Sequence, residues 1–233
     1  CIEYGREDVE VVAVNFRKDP EEKAHLLKYD STHGTLPQDI TFDDTHMQIG
    51  DRKLRLFNHG NPADIPWSEA NVDVVLECTG VFRKKADAAL HLKGGAKKVL
   101  VSAPSPDADS TVVFGVNNEA YQPDHEVVSV GSCTTNCLAP VAKVLNDTIG
   151  IENGFMTTIH AYTNDQNVLD NGHKDLRRAR ACALSMIPTS TGAAKALGIV
   201  LPELNGKLDG TAIRVPTPNV SLVDLVFTSA RDT

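Results

Sequence analysis

The stretch "VGSCTTNCLAP", residues 130–140, sets Cys133 at the end of an apolar run, between small hydroxylated residues and just before a helix-like segment. Three readings are open: a buried space-filler, half of a redox pair with Cys137, or a nucleophile. Cys133 falls at the predicted start of a helix, where free amides and the helix dipole favour a thiolate. Its neighbours Ser132, Thr134 and Thr135 are small and polar, so no apolar wall seals the sulfur. A candidate base, His160, lies toward the end of the strand-like "FMTTIHAYT". Period-two alternation puts Phe155, Thr157 and Ile159 on one face and Met156, Thr158 and His160 on the other. Sharing a face with Thr158 suits a partly polar site better than a core, although a histidine satisfied by backbone at a strand end is the plainer alternative. A Cys–His pair activates a thiol for attack on a carbonyl. Cys137, one helical turn on, reads as core rather than as a resolving thiol.

Two further stretches favour anions. "PTSTGAAKA", residues 188–196, places Thr189, Ser190, Thr191 and Gly192 ahead of a helix N-terminus, which binds phosphate through amides and hydroxyls. Ser and Thr are also favoured there as ordinary caps. Arg214, in "AIRVPTPN", is flanked by apolar residues within a strand, where an unpaired charge is costly. Either it sits on a solvated edge, or a phosphate or carboxylate meets it in a partly enclosed site.

These groups need a scaffold. The opening residues read as the last turn of a helix and a glycine-containing connection, followed by a strand from Val9 to Asn15. "DPEEKAHLLKYD" is helical, "HMQIG" and "KLRLFN" are strand-like, and "VDVVLECTG" is a buried strand ending at Gly80. "FRKKADAALHLKGG" is a helix closed by glycines, and "KKVLVSAP", "TVVFGVN" and "EVVSVGS" are strands. Short β-branched runs alternating with helical patterns are the signature of a parallel, doubly wound α/β sheet. Beyond Cys133 the texture changes. "LAPVAKVLNDTIG" is an amphipathic helix, residues 163–186 are long and polar, "GAAKALGIVLPEL" is a short helix, and strands broken at Pro216 and Pro218 follow. The sequence therefore predicts two domains, 1–132 and 133–233, meeting at Cys133.

At 233 residues the chain can bury a sizeable core as one large domain or two modest ones. A net charge of -8 argues against a nucleic-acid or membrane-surface partner. No apolar run approaches the roughly 18 residues of a membrane span. The five cysteines are dispersed except for one pair, which reads as reduced thiols in a cytoplasmic protein. The eight histidines form no ligand-spaced cluster, so no metal site is expected.

Together, "SCTTNC", "HAYTNDQ", "DLRRARA", "PTSTGAAKA" and "RVPTPNVS", in this order and spacing, resemble phosphorylating glyceraldehyde-3-phosphate dehydrogenase. "AHLLKYDSTHG" and "ECTGVF" match the same family, so the resemblance covers essentially the whole chain. It implies a Rossmann-type dinucleotide-binding domain followed by an α+β catalytic domain. It also implies that Cys133 attacks the aldehyde of glyceraldehyde 3-phosphate, and that His160 holds the thiolate and takes the hydroxyl proton as hydride leaves for NAD. The thioester would then pass to inorganic phosphate. Thr163 and Arg214 correspond to the site for the substrate phosphate. Ser132, Thr134, Thr191 and Gly192 correspond to the site for inorganic phosphate. Thr79, Gly80 and Ser102 fall at strand ends that line the cofactor crevice, as the switch-point rule expects. The loop 162–186 would pack at a subunit interface near the cofactor, within a homotetramer.

Three departures accompany the likeness. The family's first strand and glycine-rich turn have no counterpart here, and its catalytic domain continues beyond residue 233. The resemblance thus predicts a partial sequence that neither binds cofactor tightly nor turns over alone. The acid expected after Asn15 is also absent: Phe16, Arg17 and Lys18 stand there, which opens the site to NADP as well as NAD. Erythrose-4-phosphate dehydrogenase shares the Cys–His chemistry and is a close rival. A cofactor-free thiol hydrolase or acyltransferase would leave the first half unexplained. A non-catalytic binding or redox-sensing remnant is a third reading.

Overall fold

Strand and helix boundaries follow the β-branched runs and the caps of the sequence, in a computed structural model that describes residues 7–17 and 19–232. The helical turn expected at the start of the chain, and Lys18, lie outside the described residues. The chain divides into two compact units, residues 1–101 with 106–109 and 124–128, and residues 102–105 with 110–123 and 129–233.

The first unit opens with β1 (Ala13–Asn15), α1 (Pro20–Lys28), β2 (Ile40–Phe42), β3 (His46–Ile49) and β4 (Arg52–Phe57). Their sheet runs β1-β4-β3-β2, with β1 parallel to β4 and Asn15 opposite Phe57. Only the last three residues of the expected strand over Val9–Asn15 join this sheet. Helix α1 begins where Asp19 accepts the Glu21 amide at 2.9 Å and Pro20 supplies a preset first position. Its Ala24 packs against Met47, Ile49, Leu54 and Leu56.

A second parallel pair joins β5 (Val74–Glu77) to β6 (Lys98–Val101), with Val75 opposite Val99, and β7 (Val127–Ser129) lies beside β6. The expectation of a fully buried β5 needs correction: Val75 and Glu77 are buried, whereas Val74 and Leu76 are exposed. Two more expectations differ. The helix over residues 82–95 reduces to α2 (Lys85–Ala88) and a 3-10 segment, Ala89–Gly94. It starts without a side-chain cap, and at its end a side chain on Gly94 would collide with the Ile65 carbonyl. The strand expected over residues 111–117 is a turn beyond Thr111, because Asn117 accepts the Val113 amide, Asn118 accepts the Gly115 amide, and Gly115 has φ +79°.

The second unit contains α3 (Cys133–Thr148), β8 (Ile151–Ala161), β9 (Ile187–Ser190), α4 (Ala193–Val200), β10 (Leu208–Val215) and β11 (Ser221–Ser229). The sheet runs β9-β10-β8-β11. Strand β8 is parallel to β10 and antiparallel to β11, which brings Arg214 and Ser221 level with His160 on either side. Leu138, Ala139 and Ala142 of α3 and Ala194, Leu197 and Val200 of α4 share one core with Ile151, Met156 and Leu208. That packing fixes the start of α3 with respect to β8. An α/β first unit with parallel pairs and a mixed-sheet second unit agree with the fold read from the sequence.

Candidate functional site

Ser132 caps α3: its Oγ accepts the Thr135 amide at 3.0 Å and lies 2.7 Å from the Thr135 hydroxyl. Cys133 is therefore the first residue of a sixteen-residue helix, exposed, beside the orphan amides of the first turn. Its Sγ stands 3.3 Å from Nε2 of His160. The other ring nitrogen, Nδ1, lies 2.7 Å from the Ala161 carbonyl. A carbonyl only accepts, so Nδ1 carries the hydrogen and Nε2 of the neutral ring presents a lone pair to the thiol.

Cys133, Thr134, Cys137, Thr158, His160, Ser221 and Val223 line a cavity of about 210 Å³. The placing of Cys137 in the core is corrected: it is exposed and shares this cavity with Cys133, one turn along the same helix face. The alternation read along β8 is as expected, with Met156, Thr158 and His160 all buried. The Thr158 hydroxyl is buried without a hydrogen-bond partner among the described residues.

Arg214 sits in β10 beside His160. Its Nη1 donates to the Thr163 hydroxyl at 3.0 Å, the Ala161 carbonyl at 3.2 Å and Gln166 Oε1 at 3.4 Å, while its Nε is buried without a partner. Burial pushes the guanidinium below its ordinary pKa, and Arg178 adds to this; Asp165 and Cys133 act in the opposite sense. Because arginine stays charged, the shift marks unrelieved desolvation that a bound anion would relieve. Among the described residues no carboxylate salt-bridges Arg214, whereas Arg178 pairs with Asp165 and donates to Thr189 at 2.9 Å and to the Ser190 carbonyl at 3.2 Å.

Thr163 and Arg214 thus come together, and Thr134 joins Cys133 and His160. Ser132 is engaged as a cap. Thr191 accepts the Ala193 amide at 3.2 Å and Gly192 is the N-cap of α4, with open space where a side chain would project. No hydrogen bond among the described residues ties Thr191 or Gly192 to the thiol or to Arg214.

In the first unit, Asn15 is clasped to the His59 backbone by bonds of 2.9 and 3.0 Å. Phe16 packs on the α1 core, with Lys23 Nζ 5.8 Å from its ring centre. It lines a hollow of about 190 Å³ with Pro20, Asp44, Leu56, Phe57 and Asn58. Arg17 is exposed, and its guanidinium lies against Gly60. Ser102 is exposed just past β6. Thr79 follows β5, and its amide and hydroxyl both donate to Glu77 Oε1. Gly80 has φ +71°.

Sequence reasoning missed the group behind Thr79. Glu77 and His91 are both 4% exposed, joined at 2.9 Å, and the Trp67 indole donates to His91 Nδ1 at 3.2 Å. That indole bond places the His91 hydrogen on Nε2, facing the carboxylate. Burial alone would raise the Glu77 pKa, but the donors from His91 and Thr79 outweigh it and hold the carboxyl below its ordinary value of 4.5. Ser221, Gln166 and Arg178 were missed too. Glu77 was signalled by a charge inside a β-branched run and by its place in "ECTGVF", and Ser221 only by its place at the end of "RVPTPNVS".

An α/β unit built on two parallel strand pairs with an antiparallel extension, followed by a mixed-sheet unit, is compatible with the two-domain class of nucleotide-dependent dehydrogenases. The glyceraldehyde 3-phosphate dehydrogenase NAD binding domain profile matches residues 2–85, and the profile of the C-terminal domain matches residues 132–233. Glyceraldehyde-3-phosphate dehydrogenase of Cereibacter sphaeroides is 60% identical over 232 residues, covering 100% of this chain and 69% of that protein. The enzyme of Xanthobacter flavus gives the same figures, 60% over 232 residues, 100% and 69%. Glyceraldehyde-3-phosphate dehydrogenase 1 of Bacillus subtilis (strain 168) is 56% identical over 220 residues, 94% of this chain and 66% of that protein. The chain belongs to the glyceraldehyde-3-phosphate dehydrogenase family.

Proposed function

We propose that the protein is the glycolytic oxidoreductase its family describes, oxidising glyceraldehyde 3-phosphate with NAD and conserving the energy as an acyl phosphate. The observation that carries this reading is Cys133 Sγ at 3.3 Å from His160 Nε2, at the start of a helix. Cys133 acts as the nucleophile. As its sulfur bonds to the aldehyde carbon, a thiohemiacetal forms, and His160 Nε2 stands where it can take the proton of the new hydroxyl. NAD, when bound, accepts the hydride released in that oxidation. Inorganic phosphate then attacks the resulting thioester, releasing the acyl phosphate and returning the sulfur to Cys133.

Arg214 and Thr163 hold the substrate phosphate in this reading, supported by their 3.0 Å contact and by the buried Arg214 Nε, which has no partner among the described residues. Ser132, Thr134, Thr191 and Gly192 would form the site for inorganic phosphate in this reading. In this reading the dinucleotide-binding domain would run to 132 and the catalytic domain would begin at 133, whereas the compact units last change over at 128/129.

For the cofactor, the first unit offers a hollow of about 190 Å³ lined by Phe16, Asp44, Leu56 and Phe57 just past β1. Asn15, Phe16 and Arg17 would meet the adenosine end, and Thr79, Gly80 and Ser102 the strand ends near the nicotinamide. With Phe16 in place of an acid, nothing at that position excludes a 2′-phosphate, and NADP is accepted beside NAD. The working form is a cytoplasmic homotetramer without nucleic-acid or membrane partners. No helix among the described residues is long and apolar enough to cross a membrane.

Substitution of the two neighbouring thiols tests the reading. Cys133→Ser is expected to lower kcat by about a thousandfold or more, while Cys137→Ser keeps most of the activity. Equal losses from both would remove Cys133 from its role.

A further inference from the structure

We infer that Ser221 is a positioning residue for the His160 imidazole, acting through the backbone of Ala161; this rests on the Cys133–His160 reading above. His160 and Ser221 are the terminal pair of the antiparallel β8–β11 register. One residue further, the ladder between these two strands has run out, and the Ala161 amide donates to the Ser221 hydroxyl at 3.2 Å. The carbonyl of the same residue accepts from His160 Nδ1 at 2.7 Å and from Arg214 Nη1 at 3.2 Å. Ala161 is thus a junction whose amide is held by Ser221 and whose carbonyl holds both the ring and the guanidinium.

Holding Nδ1 on that carbonyl points Nε2 at the sulfur. Ala161 is only 5% exposed, so an amide deprived of Ser221 has little water to replace it. The backbone leaving His160 would then shift to find another acceptor, carrying the ring off the thiol. The approach to Ser221 is itself strained: Val220 has φ +70°, a region β-branched residues avoid. Strain of this kind persists only where the surroundings over-determine the backbone, and it clusters at functional sites. The next residue, Ser221, lines the thiol cavity.

The ionisable groups around the ring are Cys133, with Cys137 one turn on, from α3 and Arg214 from β10, with Asp165 and Arg178 next to Arg214. Ser221 is uncharged. Removing its hydroxyl changes the geometry of this group without changing its charge.

The experiment compares holoenzyme carrying Ser221→Ala, Ser221→Thr or His160→Asn with the parent. Iodoacetamide labelling of Cys133 is followed across pH by mass spectrometry of its peptide, with thermal melting of each variant alongside. Ser221→Ala is expected to slow labelling at neutral pH by about threefold to tenfold and to move the profile the same way as His160→Asn, with Ser221→Thr restoring it. A normal Ser221→Ala profile beside a shifted His160→Asn profile would overturn the positioning role and leave the thiol–imidazole pair standing. Equal slowing by the Ala and Thr variants would overturn it too, because the hydroxyl would then be irrelevant. An unshifted His160→Asn profile would refute the pair itself, and the role of Ser221 with it.

Discussion

In the proposed reading, Phe16 is the side chain on which the choice between NAD and NADP turns. In NAD-specific relatives of the resemblance an acid at this position binds the ribose hydroxyls and repels a 2′-phosphate. Here an aromatic ring packs on the α1 core, Lys23 approaches its face at 5.8 Å, and the Arg17 guanidinium lies exposed over Gly60. Lys23 and Arg17 bring positive charge beside Phe16 and Asp44 brings a carboxylate to the same hollow, while nothing in Phe16 can accept a hydroxyl hydrogen. The ratio of kcat/KM for NAD and NADP is therefore expected to lie within about tenfold of unity, roughly 1.4 kcal/mol. Phe16→Asp should raise the NAD preference by at least another tenfold, through repulsion of the 2′-phosphate and recovered ribose contacts. A parent enzyme that already excludes NADP, and is unchanged by the new acid, would show that other residues set the choice. Cys133, His160 and Arg214 were legible as residues because each stands at an element end or in an apolar run where its chemistry is out of place. The role of Ser221 was not legible, since its contact with Ala161 comes from strand register across 60 positions of sequence.

Elements were read well where a pattern is local and poorly where a distant partner decides. The 3-10 segment Ala89–Gly94 illustrates this: helical composition predicts an α-helix, but His91 must reach Glu77 and Gly94 must pass the Ile65 carbonyl. The same partners make the buried carboxylate of β5 a stabilising feature of that strand. Glu77 is held below its ordinary value of 4.5, so the unfolded chain binds its proton more readily than the folded one. The stability it contributes is complete above pH 4.5 and is lost as pH falls through the lower folded value. Glu77→Gln replaces one carboxylate oxygen by a donor and leaves either the His91 hydrogen or the Thr79 donors unmatched. It is expected to cost about 2–4 kcal/mol at pH 7, with the gap to the parent closing below pH 4. Denaturant titrations of both proteins at the two pH values check this, and a gap independent of pH would mean that packing rather than the charged hydrogen bonds is at stake.

Assembly belongs to the whole molecule. The net charge of -8 on this chain favours repulsion between copies, so in the proposed homotetramer exposed apolar surface is where copies would meet. The loop between β8 and β9 offers such surface: Val168, Leu169, Leu176, Leu184 and Met186 are 67–83% exposed. The same loop is pinned to its own subunit by polar side chains. Arg178 donates to Thr189 and pairs with Asp165, and Asp175 accepts the Arg177 amide at 3.0 Å and the Thr189 hydroxyl at 3.2 Å. Anchors and exposed apolar residues are therefore separate sets, and the exposed ones can be changed without loosening the loop. Leu184→Asp, at 83% exposure, is expected to leave the melting of the isolated subunit unchanged within about 0.5 kcal/mol. At an interface the same change buries an unpaired carboxylate once in each copy, at several kcal/mol each, enough to dissociate the assembly at micromolar concentration. Sedimentation velocity of parent and variant distinguishes the two cases. Added salt should leave the parent assembled, since screening weakens the repulsion between like-charged subunits. A Leu184→Asp protein that sediments with the parent would place the subunit contact on another surface.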